Sequence, residues 1–500
     1  MTADRGYGTI LLPANYVFQQ EMKIISELCG IKMSSSALFL LQEISSQESL
    51  LRSTQCIDSK KFLSNFKTLK PATLSIPFLK LQGKVHKLTS EDIQNKCTEN
   101  LSFRPVCDSK DFVTKPLASA LMILLRELNG IAMAICSADG ILAKSGWDIS
   151  NQFSTMESFS DSPFHLSYTC DLSDAYSNCT LDDVKHGVKV LYSMISHKFP
   201  LWKFDLIFTL LDFVLSNNLI MAAGSIWKLG KVLPMGCAMS GEALDTICLS
   251  QELSLIDFTI PSPFTTSYRR YRDDTRIEDS SSSVETIIEN IKIIRQLFPS
   301  RIPLNFSFNI FSHSFLDCSF HRNVSTNGYT TYICFNLKSP SRIPHYSTLS
   351  PTKFQYNTFL NNAIRAYRIT NENLLFNLFL HSMEEDFYNM MFPKEVVQSM
   401  RTKSLNHIKI KLSTYNLTKN SPSDTFKFPP AIPMLNFNLH EKIHYMIKTA
   451  LVVSNNHMSY KPPALKLPTK VKNLFNTKTK HKRLMQIEKK NHFAFIGSLG

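Results

Sequence analysis

Five hundred residues carry 55 Lys and Arg against 41 Asp and Glu, a formal net charge of +14. That length exceeds one ordinary hydrophobic core, so two or three subdomains are expected, and the basic excess suits a polyanionic partner. Eleven cysteines without a Cys-x-x-Cys pair or a Cys/His cluster argue against a zinc finger or a disulfide scaffold, and for reduced, mostly buried thiols.

Residues 1–70 read as a helical extension without a motif, and Met1 to Arg5 lack a signal-peptide pattern. Residues 71–160 contain two basic elements, Gly83-Lys84-Val85-His86-Lys87 and Phe103-Arg104-Pro105-Val106. The apolar run Leu117 to Leu125 stops at Arg126-Glu127, and Asp205 to Ala223 is interrupted by Asp212 and Asn217-Asn218. Neither is expected to span a membrane.

Residues 161–350 carry the most informative features. Phe164 to Cys170 has the length and apolar content of a strand, which leaves Asp171 at its C-terminal end. Thr180-x-x-Asp183 is a capping box before a helix with Val184, Val188, Leu191 and Ile195 on one face. The loop Pro234-Met235-Gly236 precedes Ser240, a natural N-cap for a helix bearing Leu244, Ile247 and Cys248. Phe264 to Arg270 and Thr275 to Glu278 read as the arms of a hairpin with Asp273-Asp274 in its turn. Ser280 to Ser283 is a polar break before a helix bearing Val284, Ile287, Ile288, Ile291 and Ile294. Residues 351–400 read as helical, and 401–435, rich in Lys, Ser, Thr, Asn and Pro, as a linker. Residues 436–500 hold a last helical piece and a basic tail, Lys461 to Lys490, which suits a nucleic-acid grip, a nuclear address or a solvated end.

One acid at a strand end, a Pro-x-Gly loop opening a helix, and a paired acid at a hairpin tip suit template-directed nucleotide addition. That reaction is an in-line phosphoryl transfer in which two metal ions hold the attacking and leaving oxygens. Mg²⁺ takes hard oxygen ligands, usually a few carboxylates completed by substrate phosphates. Asp171, Asp273 and Asp274 would supply them as catalytic and metal-binding residues, with two Mg²⁺ bound and Mn²⁺ as a substitute. Tyr176 stands where an aromatic ring would meet the sugar of an incoming nucleotide; a core tyrosine is the alternative. Lys84, Lys87 and Arg104 are candidates for a triphosphate clamp, and His86 for a structural histidine.

In this order the segments resemble the A, B and C motifs of reverse transcriptases. The flanks are similar to Penelope-like retroelements: Lys84-x-His86-Lys87, Phe103-Arg104-Pro105-Val106, Ser314-Phe315-Leu316-Asp317, Tyr332 to Lys338, Arg365-Ala366-Tyr367-Arg368-Ile369, and Tyr460-Lys461 with Lys472-Asn473-Leu474. The resemblance implies an α+β fold, a right-hand polymerase with fingers, an antiparallel-sheet palm, a helical thumb and a basic C-terminal segment. It favours Lys84 and Arg104 for the triphosphate, with Tyr176, Pro234, Met235 and Gly236 as further nucleotide-binding residues. Phe315, Leu316 and Asp317 would form the primer grip. It also implies an RNA template, a DNA primer, dNTPs and a nuclear location, the cytoplasm being the alternative. No membrane is implied, and the oligomeric state is not legible. Arg272, Val232, Leu229, Gly241 and Arg276 depart from the usual residues: small or branched apolar, Gly, Gln, Pro and apolar respectively.

Two function classes follow: an RNA-directed DNA polymerase, or a decayed or domesticated relative that only binds RNA. A maturase-like splicing factor would need an intron-binding domain, which is not seen. No Gly-Ile-Tyr/Tyr-Ile-Gly pair occurs and no cysteine follows Cys334, so extension of existing 3′ ends without DNA cutting is expected.

Overall fold

The structure is a computed structural model. It describes residues 12–417 apart from 71–72, 85–100, 144–165, 231, 261–264, 266, 280–283, 299–301, 310–311, 326–327, 336–342, 344–345, 347–351 and 371–372. Helices and antiparallel sheets are mixed along the chain. It divides into two compact units, 1–342 with 365–381, and 343–364 with 382–500. The expected Lys87 and His86, the polar break at 280–283, Lys338 and the basic tail lie outside the described residues.

The first unit opens with helices α1 (Ala14–Glu27), α2 (Ala37–Thr54) and α3 (Ile57–Leu63). It also holds a two-residue strand, β1 (Ile31–Lys32), that was not legible: Ile31 pairs with Lys228 and Lys32 with Trp227. Strands β2 (Leu79–Gly83) and β3 (Phe103–Cys107) form an antiparallel hairpin in which Gln82 faces Arg104. Helix α4 (Lys115–Ile135) is long and apolar enough to cross a membrane by length and composition. Ten of its residues are buried, however, and Asn129 bonds to the Glu242 carbonyl and accepts from the Thr246 hydroxyl. Its apolar character is that of a core helix.

Strand β4 (Leu166–Leu172) leads through a short helical turn (Ala175–Asn178) into α5 (Leu181–Ile195). The capping box is formed: Thr180 accepts from the Asp183 N–H, and the Asp183 carboxylate accepts from the Thr180 N–H at 2.6 Å. Val184, Val188, Leu191 and Ile195 are all buried, as their spacing requires. Helix α6 (Leu201–Ser216) is followed by the hairpin β5 (Leu219–Ala222) and β6 (Ser225–Lys228), to which β1 adds a third strand. Helix α7 (Ser240–Leu255) packs on α5 at Gly187, where a Cβ would lie 3.0 Å from the Thr246 carbonyl oxygen.

The central sheet comes next. Strands β7 (Arg269–Tyr271), β8 (Asp274–Asp279) and β9 (Leu304–Asn309) join β4 in the antiparallel order β7-β8-β4-β9, with helix α8 (Val284–Gln296) before β9. One face, bearing Tyr168, Cys170, Leu172 and Ile277, is buried in the core shared with α4, α5 and α7. A second antiparallel sheet consists of β10 (Ser312–Phe315), β11 (Cys318–Ser325) and β12 (Gly328–Phe335). Arg276 of β8 is fully buried, with its guanidinium 4.0 Å from the Phe320 ring of β11. Every described cysteine is a free thiol.

Helices α9 (Thr352–Ile369), α10 (Asn373–Asn389) and α11 (Lys394–Leu417) make the C-terminal part of the described chain helical. In the second unit Phe359, Phe387 and Phe392 form an aromatic cluster with centroids 5.3 and 4.9 Å apart. Residues 401–417, expected to open a linker, continue α11 instead. The reason is a buried stripe, Val397, Met400, Ser404 and Ile408, at helical spacing beneath the polar composition.

Candidate active site

The site is built where β4 ends beside the β7–β8 hairpin. In register, Asp171 stands directly opposite Asp274 on one side and Asn305 on the other. Directly opposed residues of antiparallel strands project from the same face, so Asp171 and Asp274 share one. The Leu172 N–H donates to the Asp273 carbonyl at 3.0 Å, which seats the hairpin tip against the end of β4. Only Arg272 and Asp273 form the turn; Asp274, expected in it with Asp273, is the first residue of the return strand. The reason is a two-residue turn in which Arg272 adopts a left-handed conformation (φ 57°).

Burial raises the Asp273 carboxyl above the usual range; nearby Asp171 adds to the rise, while the Asp273 backbone, Arg104 and Arg270 oppose it. The Tyr176 phenol is pushed well above its ordinary value, mainly by burial and next by Asp273. Tyr176 therefore packs against the core within the influence of Asp273, as the core alternative for this ring expects. Lys84 extends from β2, with its Nζ 3.7 Å from the Asp174 carboxylate. Asp174, which the sequence reading passed over, is exposed and left-handed (φ 50°) at the start of the turn beyond β4. Non-glycine residues at positive φ cost about 1–3 kcal/mol and cluster at functional sites. The structure thus brings Asp171, Asp273, Asp274, Lys84, Arg104 and Tyr176 to one end of the sheet.

The Pro-Met-Gly loop is stitched to the β2–β3 hairpin. The Cys107 N–H donates to the Met235 carbonyl at 2.8 Å, and the Ser109 hydroxyl donates to the Gly236 carbonyl at 3.1 Å. Gly236 has φ 101°, and a Cβ there would lie 2.3 Å from the Cys107 carbonyl oxygen. Ser240 is not the N-cap it was expected to be. It is the first residue of α7, with Met239 in the N-cap position, and its hydroxyl turns back to the Pro234 carbonyl at 2.7 Å, closing the loop.

Beneath the acids lies an ionic network that the sequence reading missed. Helix α7 carries Glu242, Asp245 and Glu252, all buried. Arg270, fully buried, donates to Glu252 at 2.6 and 3.1 Å, to Asp245 at 2.8 Å and to the Arg272 carbonyl at 2.9 Å. The Tyr268 hydroxyl also donates to Glu252, at 2.7 Å. Arg272 reaches Asp245, and Glu242 at 3.2 Å, while Arg126 of α4 reaches Glu242 at 2.8 Å. Three guanidinium groups thus meet three carboxylates, and the hairpin bearing Asp273 is tied through its arginines to the helix after the loop. The signal was faint: these three acids share α7 with Ala243, Leu244, Ile247, Cys248 and Leu249, and they demand cations only because the helix is buried.

Phe315, Leu316 and Asp317 lie on the second sheet, whose β10 packs along β4. Phe315 is buried, whereas Leu316 (φ 53°) and Asp317 form the hairpin turn rather than continuing a strand. Asp317 pairs with Arg365, whose guanidinium lies 5.3 Å from the Phe335 ring.

Among the described residues no group of three or more His, Cys, Asp and Glu is placed to hold a metal ion by itself. The neighbouring carboxylates of Asp171 and Asp273 are hard oxygen donors whose mutual repulsion a cation would relieve. They fit an ion that completes its shell with substrate and water, not one held in a closed protein cage.

No family model and no curated protein matches the chain. Among solved structures, telomerase from Candida albicans in complex with a TWJ fragment of telomeric RNA is similar at TM-score 0.43 and 12% identity, covering 76% of this chain and 60% of that one. This chain therefore spans less than two thirds of that telomerase. An insertion-loop deletion mutant of the RNA-dependent RNA polymerase of a human picobirnavirus gives TM-score 0.43 and 11% identity, covering 82% of each chain. Likeness this distant assigns no activity.

Two outcomes follow from the geometry. Gly236→Ala is expected to lose on the order of 3 kcal/mol in denaturant unfolding, since the new Cβ meets backbone and the positive φ disfavours any side chain. Asp273→Asn should raise the melting temperature by a few degrees at pH 7 in metal-free buffer. The sign follows from the raised carboxyl: above the unfolded value the charged form opposes folding, so removing that charge stabilises. The gain should shrink as pH falls through the raised value, because the parent then becomes neutral as well.

Proposed function

We propose that this chain is a template-directed nucleic-acid polymerase and, within that class, an RNA-directed DNA polymerase of the Penelope-like retroelement type. The observation that carries the reading is the seating of the Asp273 turn on the end of β4, which brings Asp171 and Asp273 together. Lys84 and Arg104, approaching from the β2–β3 hairpin, support it with cations where a triphosphate would lie.

In this mechanism Asp171 and Asp273 would hold Mg²⁺, joined by Asp274, which shares a sheet face with Asp171. The bound ions would supply charge neutralisation at the attacking and leaving oxygens. Lys84 and Arg104 bind the triphosphate and offset charge that the ions do not reach. Tyr176 limits the space at the sugar. The loop through Pro234, Met235 and Gly236 supports the nascent base pair from a position fixed by Cys107 and Ser109. Phe315, Leu316 and Asp317 support the primer end from the second sheet. RNA template, DNA primer and dNTPs are the partners of this reading. A nuclear location goes with it, the cytoplasm being the alternative.

Primer extension on an RNA template with Mg²⁺ tests the reading. Asp171→Ala and Asp273→Ala should each lower extension by about three orders of magnitude while template binding persists, because the lysines and arginines remain. Binding without extension by the parent would favour the alternative, a relative that has lost synthesis. Extension by the double variant at the parental rate would remove both acids from the chemistry. A second outcome concerns the sugar: Tyr176→Ala should ease ribonucleotide entry by roughly ten- to a thousand-fold. Unchanged incorporation ratios in a folded variant would leave Tyr176 as a core residue only.

A further inference from the structure

Two residues that depart from the reverse-transcriptase pattern touch each other. Gly241 is the second residue of α7, and a Cβ built on it would lie 2.9 Å from Cζ and 3.2 Å from Nε of Arg272. The guanidinium occupies the space that any side chain at position 241 would take. It is not a loose chain end that could swing aside, because Asp245 and Glu242 on the same helix hold it. Its own backbone is held as well: Arg270 donates to the Arg272 carbonyl at 2.9 Å, and Arg272 is left-handed next to Asp273.

We propose that Arg272 and Gly241 are a matched pair that fixes the turn carrying Asp273, which makes Arg272 a positioning residue for that carboxylate. With the guanidinium in this position, only glycine fits at 241. The pair's catalytic meaning rests on the polymerase reading, whereas the pairing itself rests on contact geometry.

The test is a double-variant cycle with Gly241→Ala and Arg272→Asn. Asparagine tolerates the left-handed backbone, so it removes the guanidinium without adding strain at φ. In the parent, Gly241→Ala pushes the guanidinium off its acids and should lower the melting temperature. In the Arg272→Asn background the same change should raise it by about 2 °C, since alanine favours a helix over glycine. An equal effect of Gly241→Ala in both backgrounds would overturn the pairing. Arg272→Lys, which keeps the charge but not the fork, serves the same comparison if the asparagine variant does not fold.

Positioning is read by kinetics and by metal response. Arg272→Asn should lower kcat for primer extension about tenfold or more with the dNTP KM within about twofold, and Arg272→Lys should recover part of the loss. It should also reduce the rise in melting temperature that Mg²⁺ gives the parent. A parental kcat together with a parental Mg²⁺ response would overturn the positioning role. A parent that extends no primer would instead count against the polymerase reading, and the thermal cycle would still decide the pairing.

Discussion

Arg270 is the interaction on which the rest of the site depends. Its guanidinium and the Glu252 carboxylate are both completely buried. Charges withdrawn from water are tolerable only when every polar direction is matched. Removing one partner of such a pair commonly costs about 3–5 kcal/mol, because the other is left uncompensated. Here the matching groups lie in different parts of the chain. Glu252 and Asp245 come from α7, Tyr268 precedes β7, and the Arg272 carbonyl sits in the turn. Satisfying Arg270 therefore sets the hairpin on the helix before any substrate arrives.

The constraint spreads outward through ordinary packing. Helix α7 is held against α5 by the close approach at Gly187 and against α4 by Asn129 and Arg126. At its start the Ser240 hydroxyl closes the loop, and the loop is sewn to the strand that carries Arg104. The cationic hairpin, the loop and the acidic turn thus meet one buried scaffold. Asp273 stands partly in opposition to folding: its carboxyl is raised first by burial and then by Asp171. The ion network beneath holds that buried carboxylate in place.

What the sequence made legible was local or chemically loud. The capping box of Thr180 and Asp183 spans four residues and was read correctly, as was the buried face of α5. Asp171, Asp273 and Asp274 could be singled out by their order around the Pro-x-Gly loop, since an Asp pair in a turn is by itself usually only solvated. Long-range partners were hidden. Ser240 looked like a cap because the carbonyl it binds belongs to a loop whose path is not written locally. Glu242, Asp245 and Glu252 are ordinary on a surface helix and become informative only once α7 is known to be buried. Arg270 passed unremarked and Arg272 counted as an irregularity, since nothing in the chain order says that they answer those acids. Residues 401–417 were taken for linker because lysines, serines and asparagine outnumber the buried stripe that makes them helical. The two-residue strand at Ile31 owes its existence to pairing with residues 227 and 228, far along the chain.

In the proposed function the acids at the sheet end perform nucleotide addition directed by a template. Single-nucleotide incorporation on four RNA templates differing only at the first unpaired base tests this most directly, with each dNTP offered alone in Mg²⁺. The complementary deoxynucleotide should be added on each template, with mismatched additions rare. Addition of the same nucleotide whatever the template base, or no addition on any template, would contradict the proposed function.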